Sequence, residues 1–260
     1  MKKLHKECKK IDIDFLTAPY SISLVNKVNK FIPAYKIGSG DITYHQEILL
    51  AAKKNKPIIL ATGASSFDDV SLIVKKISKI NKNVCLMQCN TNYTGKKNNF
   101  KYLNLNVLKM YKKKFKNIIL GLSDHTKGDL SVLAAVSMGA KVIEKHFTDS
   151  NSRIGPDHSF SMNPNSWRKM VKNTREIELC FGDGLKKIEE NEKETSVLQR
   201  RCIVAKKNIK KNQAINLKDL EFLRPKVAKS FEPYEVKKLK GKILKKNLLK
   251  GEAILRSYIK

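Results

Sequence analysis

No run of eighteen apolar residues occurs in the 260-residue chain, so the sequence offers no candidate membrane-spanning helix. The opening "MKKLHKECKKIDIDFL" lacks a continuous apolar core and does not read as a secretion signal. The five cysteines (Cys8, Cys85, Cys89, Cys180, Cys202) are odd in number, and none stands in C-x-x-C spacing. That argues against a zinc ribbon, a redox motif or a disulfide framework, and it leads us to expect reduced thiols in the cytoplasm. Arginine is scarce, at seven of the 53 basic residues, although the formal net charge is +29. The lysines are spread along the whole chain among many Asn and Ile residues. A nucleic-acid binder would cluster its basic residues and interleave aromatics. Neither a nucleic acid nor a membrane is therefore expected as a partner. A positive field of this size still attracts an anionic small molecule.

What is present is rhythm. Short, nearly continuous apolar runs lie at residues 14–20, 34–40, 57–63, 84–90, 117–124 and 141–147. Continuous rather than alternating hydrophobicity is how strands buried on both faces of a parallel sheet read. Stretches of helical period separate them, such as "DDVSLIVKKISKI" and "DLSVLAAVSMGA", with Asp68, Asp69 and Asp129 at positions that suit helix N-termini. The β-α-β order implies an α/β architecture of about six strands. The choice is between an open six-stranded sheet and a (β/α)8 TIM-type barrel that is N-terminally incomplete by two βα units, because a full barrel needs eight strands. We assign residues 1–184 to this domain, the highly charged residues 185–200 to a linker, and residues 201–260 to a small C-terminal β-rich domain.

Two apolar runs end in histidine: "ILGLSDHT" at 119–126 and "VIEKHFTD" at 142–149. In a parallel β/α sheet all strand carboxyl ends meet at one face, so His125 and His146 should share a mouth. Neutral imidazoles suit a divalent ion such as Mn²⁺, Fe²⁺ or Zn²⁺, and two protein ligands would leave positions open for water and substrate. The alternative is a pair of hydrogen-bonded structural histidines. The other strand ends carry Lys36 and Ser39 ("KIGSG"), Thr62 ("ATG"), Asn90, Thr91 and Tyr93 ("QCNTNY") and Ser123 ("GLSD"). An ammonium, hydroxyls and Gly-flanked backbone N–H groups together suit a phosphate or carboxylate. Asp157 of "GPDH" either binds substrate hydroxyls or caps the following helix.

Taken together, "IPAYKIGSGD", "KPIILATG", "LGLSDHT", "EKHFTD" and "GPDHSFSM" resemble the sialic acid synthase family. Those enzymes condense phosphoenolpyruvate with N-acetylmannosamine or a related diacetamido hexose to give N-acetylneuraminate, legionaminate or pseudaminate. The resemblance runs from about Phe15 to Ser257, and in it the tail is similar to the family's antifreeze-like SAF domain. It implies that His125 and His146 are metal ligands, with Mn²⁺ the first choice and Mg²⁺ or Co²⁺ as alternatives. It implies that Lys36, Ser39, Thr91 and Ser123 contact phosphoenolpyruvate, and that Tyr93 and Asp157 lie near the N-acyl amino sugar. It implies that Arg224 of "FLRP" reaches that sugar from a second subunit of a domain-swapped homodimer. The stretch "GSGDITYH" and Gln88 resemble the legionaminate-type members.

The sequence also departs from the family pattern. Ala18 and Ala61 stand where many relatives carry a hydroxyl. The family's acidic catalytic residue and a Lys–Gln pair belong to two strands that have no match here, so we assign no catalytic acid or base. Three readings follow: a synthase whose start lies upstream of Met1, a degenerate non-catalytic anion-binding protein, or one half of a split synthase.

Overall fold

The computed structural model describes residues 1–260, which divide into two compact units, Met1–Gly182 and Asp183–Lys260. In the first unit five strands form one parallel sheet in the order β1-β2-β3-β4-β5: β1 (Tyr35–Ile37), β2 (Ile58–Ala61), β3 (Val84–Cys89), β4 (Ile119–Asp124) and β5 (Val142–Lys145). Helices α1 (Lys2–Lys10) and α2 (Ile22–Val28) precede the sheet. Between strands come α3 (His45–Ala52), α4 (Phe67–Ser78), the short α5 (Asn99–Tyr102) with α6 (Asn106–Lys114), and α7 (Leu130–Ser137); α8 (Pro164–Leu179) closes the unit.

The strand count is five, not the expected six. Residues 14–20 contribute no backbone hydrogen bond to the sheet. Pro19 brings no N–H to a ladder, and Tyr20 has φ +55, outside the β region. Beyond β5 the sheet continues only as a single parallel bridge, Phe147 to Met162.

Side chains alternate across the pleat, and this sorts the core. Ile58, Leu60, Val84, Leu86, Leu120 and Leu122 face the helices and join Val70, Ile73, Ile77, Leu108, Val132 and Ala135 in the main core. Burying each of the larger side chains contributes about 1.5–3 kcal/mol. The opposite set faces the concave side, where Ala61, Cys85 and Met87 pack with Ile59 and Val142. The sheet is curled into a half-barrel. Its two edge strands, β1 and β5, come near enough for Lys36 Nζ to reach Glu144 Oε2 at 3.2 Å. Gly121 makes part of this curvature possible, because a Cβ there would lie 2.8 Å from the Val142 carbonyl and 2.9 Å from Met87 Cγ. Ser66 and Asp69 form a reciprocal capping box on α4, and Asn163 and Ser166 form another on α8 with Pro164 in the first turn; Asp129 holds the N-cap position of α7 without a side-chain cap, its carboxylate accepting from Asn173 instead.

In the second unit, residues expected to be a linker form a 3₁₀ turn (Glu190–Glu192) and helix α9 (Lys193–Leu198). Strands β6 (Cys202–Ala205) and β7 (Leu220–Leu223) pair antiparallel, and isolated bridges tie them and the following turns around Ile203, Ile209, Leu244, Leu248 and Ile254. The carboxylate of Glu235 accepts from Arg256 at 2.5 Å and Lys238 at 3.1 Å, with Arg256 lying over the Phe231 ring. Those hydrogen bonds, the one from Arg256 first, hold the Glu235 carboxyl down from its ordinary 4.5 to about 2. A carboxyl whose folded pKa is depressed adds stability above its unfolded value, and that stability is lost as pH falls toward the folded value. We predict that the thermal stability of the second unit falls as pH is lowered from 4.5 to about 2. Glu235→Gln should flatten that limb in a calorimetric pH series and lower the melting point at neutral pH.

Candidate active site

The inward residues of each strand converge at the carboxyl ends. Lys36 lies on β1, with Ser39 in the turn that follows. Ser123 and His125 lie at the end of β4, and Glu144 and His146 lie two residues apart at the end of β5. Together with Tyr20, Ala61, Tyr93 and Asp157 they line an open cavity of about 470 Å³. Its walls mix the Lys36 ammonium, hydroxyls, two imidazoles and the Glu144 and Asp157 carboxylates, a lining suited to a small polar ligand.

The two imidazoles do meet. Their ring centroids are 5.0 Å apart at a tilt of 55°, and the Tyr93 ring sits 4.3 Å from His125 and 5.6 Å from His146. His125 Nδ1 lies 3.0 Å from the Asn90 carbonyl, which can only accept, so Nδ1 carries the proton and Nε2 keeps its lone pair. His146 Nδ1 faces Asp157 Oδ2 at 3.4 Å and is oriented in the same sense. An imidazole whose Nδ1 is engaged by a carbonyl or carboxylate is the usual state of a metal-ligating histidine. Burial, and then the neighbouring His125, hold the His146 pKa below its ordinary value and keep the ring neutral at pH 7. The donor set therefore fits a divalent cation held by two Nε2 atoms. No third His, Cys, Asp or Glu joins them, so most coordination positions would fall to water and substrate.

The remaining sequence-predicted residues divide. Tyr93 and Asp157 reach the cavity, and partial burial raises the Tyr93 pKa so that its hydroxyl remains a donor. Ser39 accepts from the Gly63 N–H at 2.9 Å, tying the β1 turn to the end of β2. Thr91 packs beside Gly63, where a Cβ would fall 1.9 Å from its Oγ1. Thr62 is a structural residue: its buried hydroxyl donates to the Met87 carbonyl and accepts from Tyr111. Arg224 lies exposed in the second unit, directly after β7. Sequence reasoning missed Glu144 and Tyr20. The two-residue spacing of Glu144 and His146 is a legible signal for the former, whereas nothing local marks Tyr20. It also passed over Asp124 and Lys145.

A curled five-stranded parallel sheet with a ligand-sized cavity at its strand carboxyl ends gives this chain a β/α half-barrel architecture. Residues 1–186 match the NeuB family and residues 200–259 match the SAF domain; the chain belongs to the NeuB family. It is 36% identical over 260 residues to the N,N'-diacetyllegionaminic acid synthase of Campylobacter jejuni, covering 97% of this chain and 76% of that protein. It is 38% identical over 225 residues to the uncharacterized protein MJ1065 of Methanocaldococcus jannaschii, covering 86% and 66%. Among solved structures, N-acetylneuraminic acid synthetase from Leptospira borgpetersenii, crystallised with citrate, superposes with a TM-score of 0.68 at 28% identity over 74% of this chain and 67% of that one. The chain thus spans about two thirds to three quarters of the length of the relatives it matches.

The crowding at Gly63 is directly testable. Gly63→Ala should lower stability by about 1–3 kcal/mol in urea unfolding, because Thr91, Cys89 and Ser39 close around the added methyl. The double variant Gly63→Ala/Thr91→Ala should recover most of that loss, since the nearest obstruction is the Thr91 hydroxyl.

Proposed function

We propose that the chain acts as a nonulosonic acid synthase, condensing phosphoenolpyruvate with an N-acyl amino hexose and releasing phosphate, with a legionaminic-type diacetamido sugar as the favoured acceptor. The observation that carries this reading is the meeting of His125 and His146 over a cavity that also holds Lys36, Ser39 and Ser123. The legionaminic acid synthase among the relatives supports the choice of acceptor.

The Lys36 ammonium and the Ser39 and Ser123 hydroxyls would hold the phosphate and carboxylate of phosphoenolpyruvate. The Thr91 hydroxyl, beside Gly63, would add a further contact to the same ligand. Tyr93 and Asp157 would orient the open-chain sugar, and His125 and His146 would hold the cation, Mn²⁺ first among the candidates. A bound divalent ion would supply Lewis-acid polarisation of the sugar aldehyde. The enol π pair of phosphoenolpyruvate then forms the C3–carbon bond, and the aldehyde oxygen gains a proton. Water adds at C2 and loses one proton; as the C2–O bond to phosphate breaks, the proton of the new C2 hydroxyl passes to the departing phosphate, leaving the ketone. Contributions of this chain's residues are orientation and electrostatic preorganisation. The proposal extends to a cytoplasmic, domain-swapped homodimer in which Arg224 of one copy reaches the sugar bound by the other, as the family likeness implies.

A second reading, binding without turnover, is favoured by one feature. Both carboxylates that face the cavity are already engaged: Glu144 with Lys36 and Asp157 with His146. No acid or base stands free among them. One assay separates the two. On the synthase reading, purified chain with Mn²⁺, phosphoenolpyruvate and an N-acylated mannosamine releases phosphate, and Lys36→Met lowers kcat/KM by about 10²-fold. Metal and phosphoenolpyruvate binding without phosphate release would select the binding protein. Retained Mn²⁺ binding in His125→Ala/His146→Ala would remove the cation site from both readings.

A further inference from the structure

Directly before each of the two histidines stands a charged residue that faces the other way. Asp124 precedes His125 and Lys145 precedes His146; both are turned toward the helix layer, and their side chains are essentially inaccessible. They are direct partners in the β4–β5 ladder, and Lys145 Nζ lies 2.7 Å from Asp124 Oδ2. We propose that this buried ion pair is a positioning device: it sets the β4–β5 register and so holds the His125 and His146 imidazoles opposite each other. The inference rests on the reading of those rings as cation ligands and assigns the residues that put them there.

Burying two opposite charges is worthwhile only when most of the remaining hydrogen-bonding capacity is filled, and here the carboxylate has four donors and the ammonium two acceptors. The Asp124 carboxylate accepts from the Thr126 N–H at 2.9 Å, the Thr126 hydroxyl at 3.0 Å, the Ser131 hydroxyl of α7, and Lys145. Lys145 also donates to the Thr126 carbonyl at 2.6 Å. His125 sits inside this knot, because the Asp124 side chain closes a turn onto the residue after it. An apolar pair could pack the same position without desolvating charge, so what the ion pair adds is specificity.

That specificity is needed here. A one-residue slip of β5 would turn His146 outward and is already opposed by the alternation of the concave and convex faces. A two-residue slip keeps every face correct, and hydrophobic patterning does not oppose it. It would set Asp124 against Ile143 or Phe147, leaving both charges buried and unpaired, and it would carry His146 two residues away from His125. The ion pair is the feature that excludes that register.

The test uses the full chain and two readouts: Mn²⁺ titration followed by electron paramagnetic resonance, and, in metal-free ¹⁵N-histidine-labelled protein, the ring-to-ring NOE between His125 and His146. Lys145→Met, shown to be folded by a cooperative melt, should lose about 10–100-fold in Mn²⁺ affinity and lose the NOE. Lys145→Arg should retain both. A folded Lys145→Met with native affinity and NOE would overturn the proposal. If Lys145→Met does not fold, Ser131→Ala decides, since it removes one donor to Asp124 from the side away from the imidazoles. Weakened Mn²⁺ binding or a shifted histidine spectrum there sustains the proposal, and native behaviour in both overturns it. A wild-type chain that binds no Mn²⁺ would sink the cation reading instead, leaving the NOE comparison to decide the register claim.

Discussion

The parallel pairing of β4 with β5 is the constraint on which the site depends. Side chains in a strand alternate, so one register decides at once what enters the helix-facing core and what enters the concave mouth. Leu120 and Leu122 go to the core, while Ser123 and Glu144 sit side by side on the other face, with His125 and His146 one step beyond. The Asn90 carbonyl and the Asp157 carboxylate then fix how each ring is turned.

Curling of the sheet adds a second layer of organisation. The two edge strands approach until Lys36 meets Glu144, and the cavity's positive group is thereby held by a carboxylate while leaving the mouth open to an anion. Small residues permit the geometry at two places, Gly121 under the sheet and Gly63 beside Ser39 and Thr91. The large formal charge of the chain plays a broader part. It raises the local concentration of anionic ligands, whereas selection among them falls to a few placed groups.

The apolar runs at 57–63, 84–90, 117–124 and 141–147 were legible as buried parallel strands because helices cover the convex face and the curl buries the concave one. The run at 14–20 has the same hydrophobicity and forms no strand, because a strand exists only by pairing, and Pro19 with the left-handed Tyr20 opposes pairing. The histidines were legible because they end adjacent strands. Thr62 was misread, since alternation turned its hydroxyl toward Met87 and Tyr111 rather than the mouth. Spacing likewise does not show that the Thr91 hydroxyl packs against Gly63.

By itself the sequence determined the β/α order, the strand ends, the histidine pair, the acidic helix start at Asp69 and the family motifs, all of which depend on residues near one another in the chain. Only the tertiary structure decided which inward groups share one cavity, that Lys36 meets Glu144 across the curl, and that Asp124 and Lys145 form a buried pair behind the two imidazoles. Those contacts join residues 21 to 108 positions apart, and their existence depends on sheet register and curvature, which no local pattern encodes.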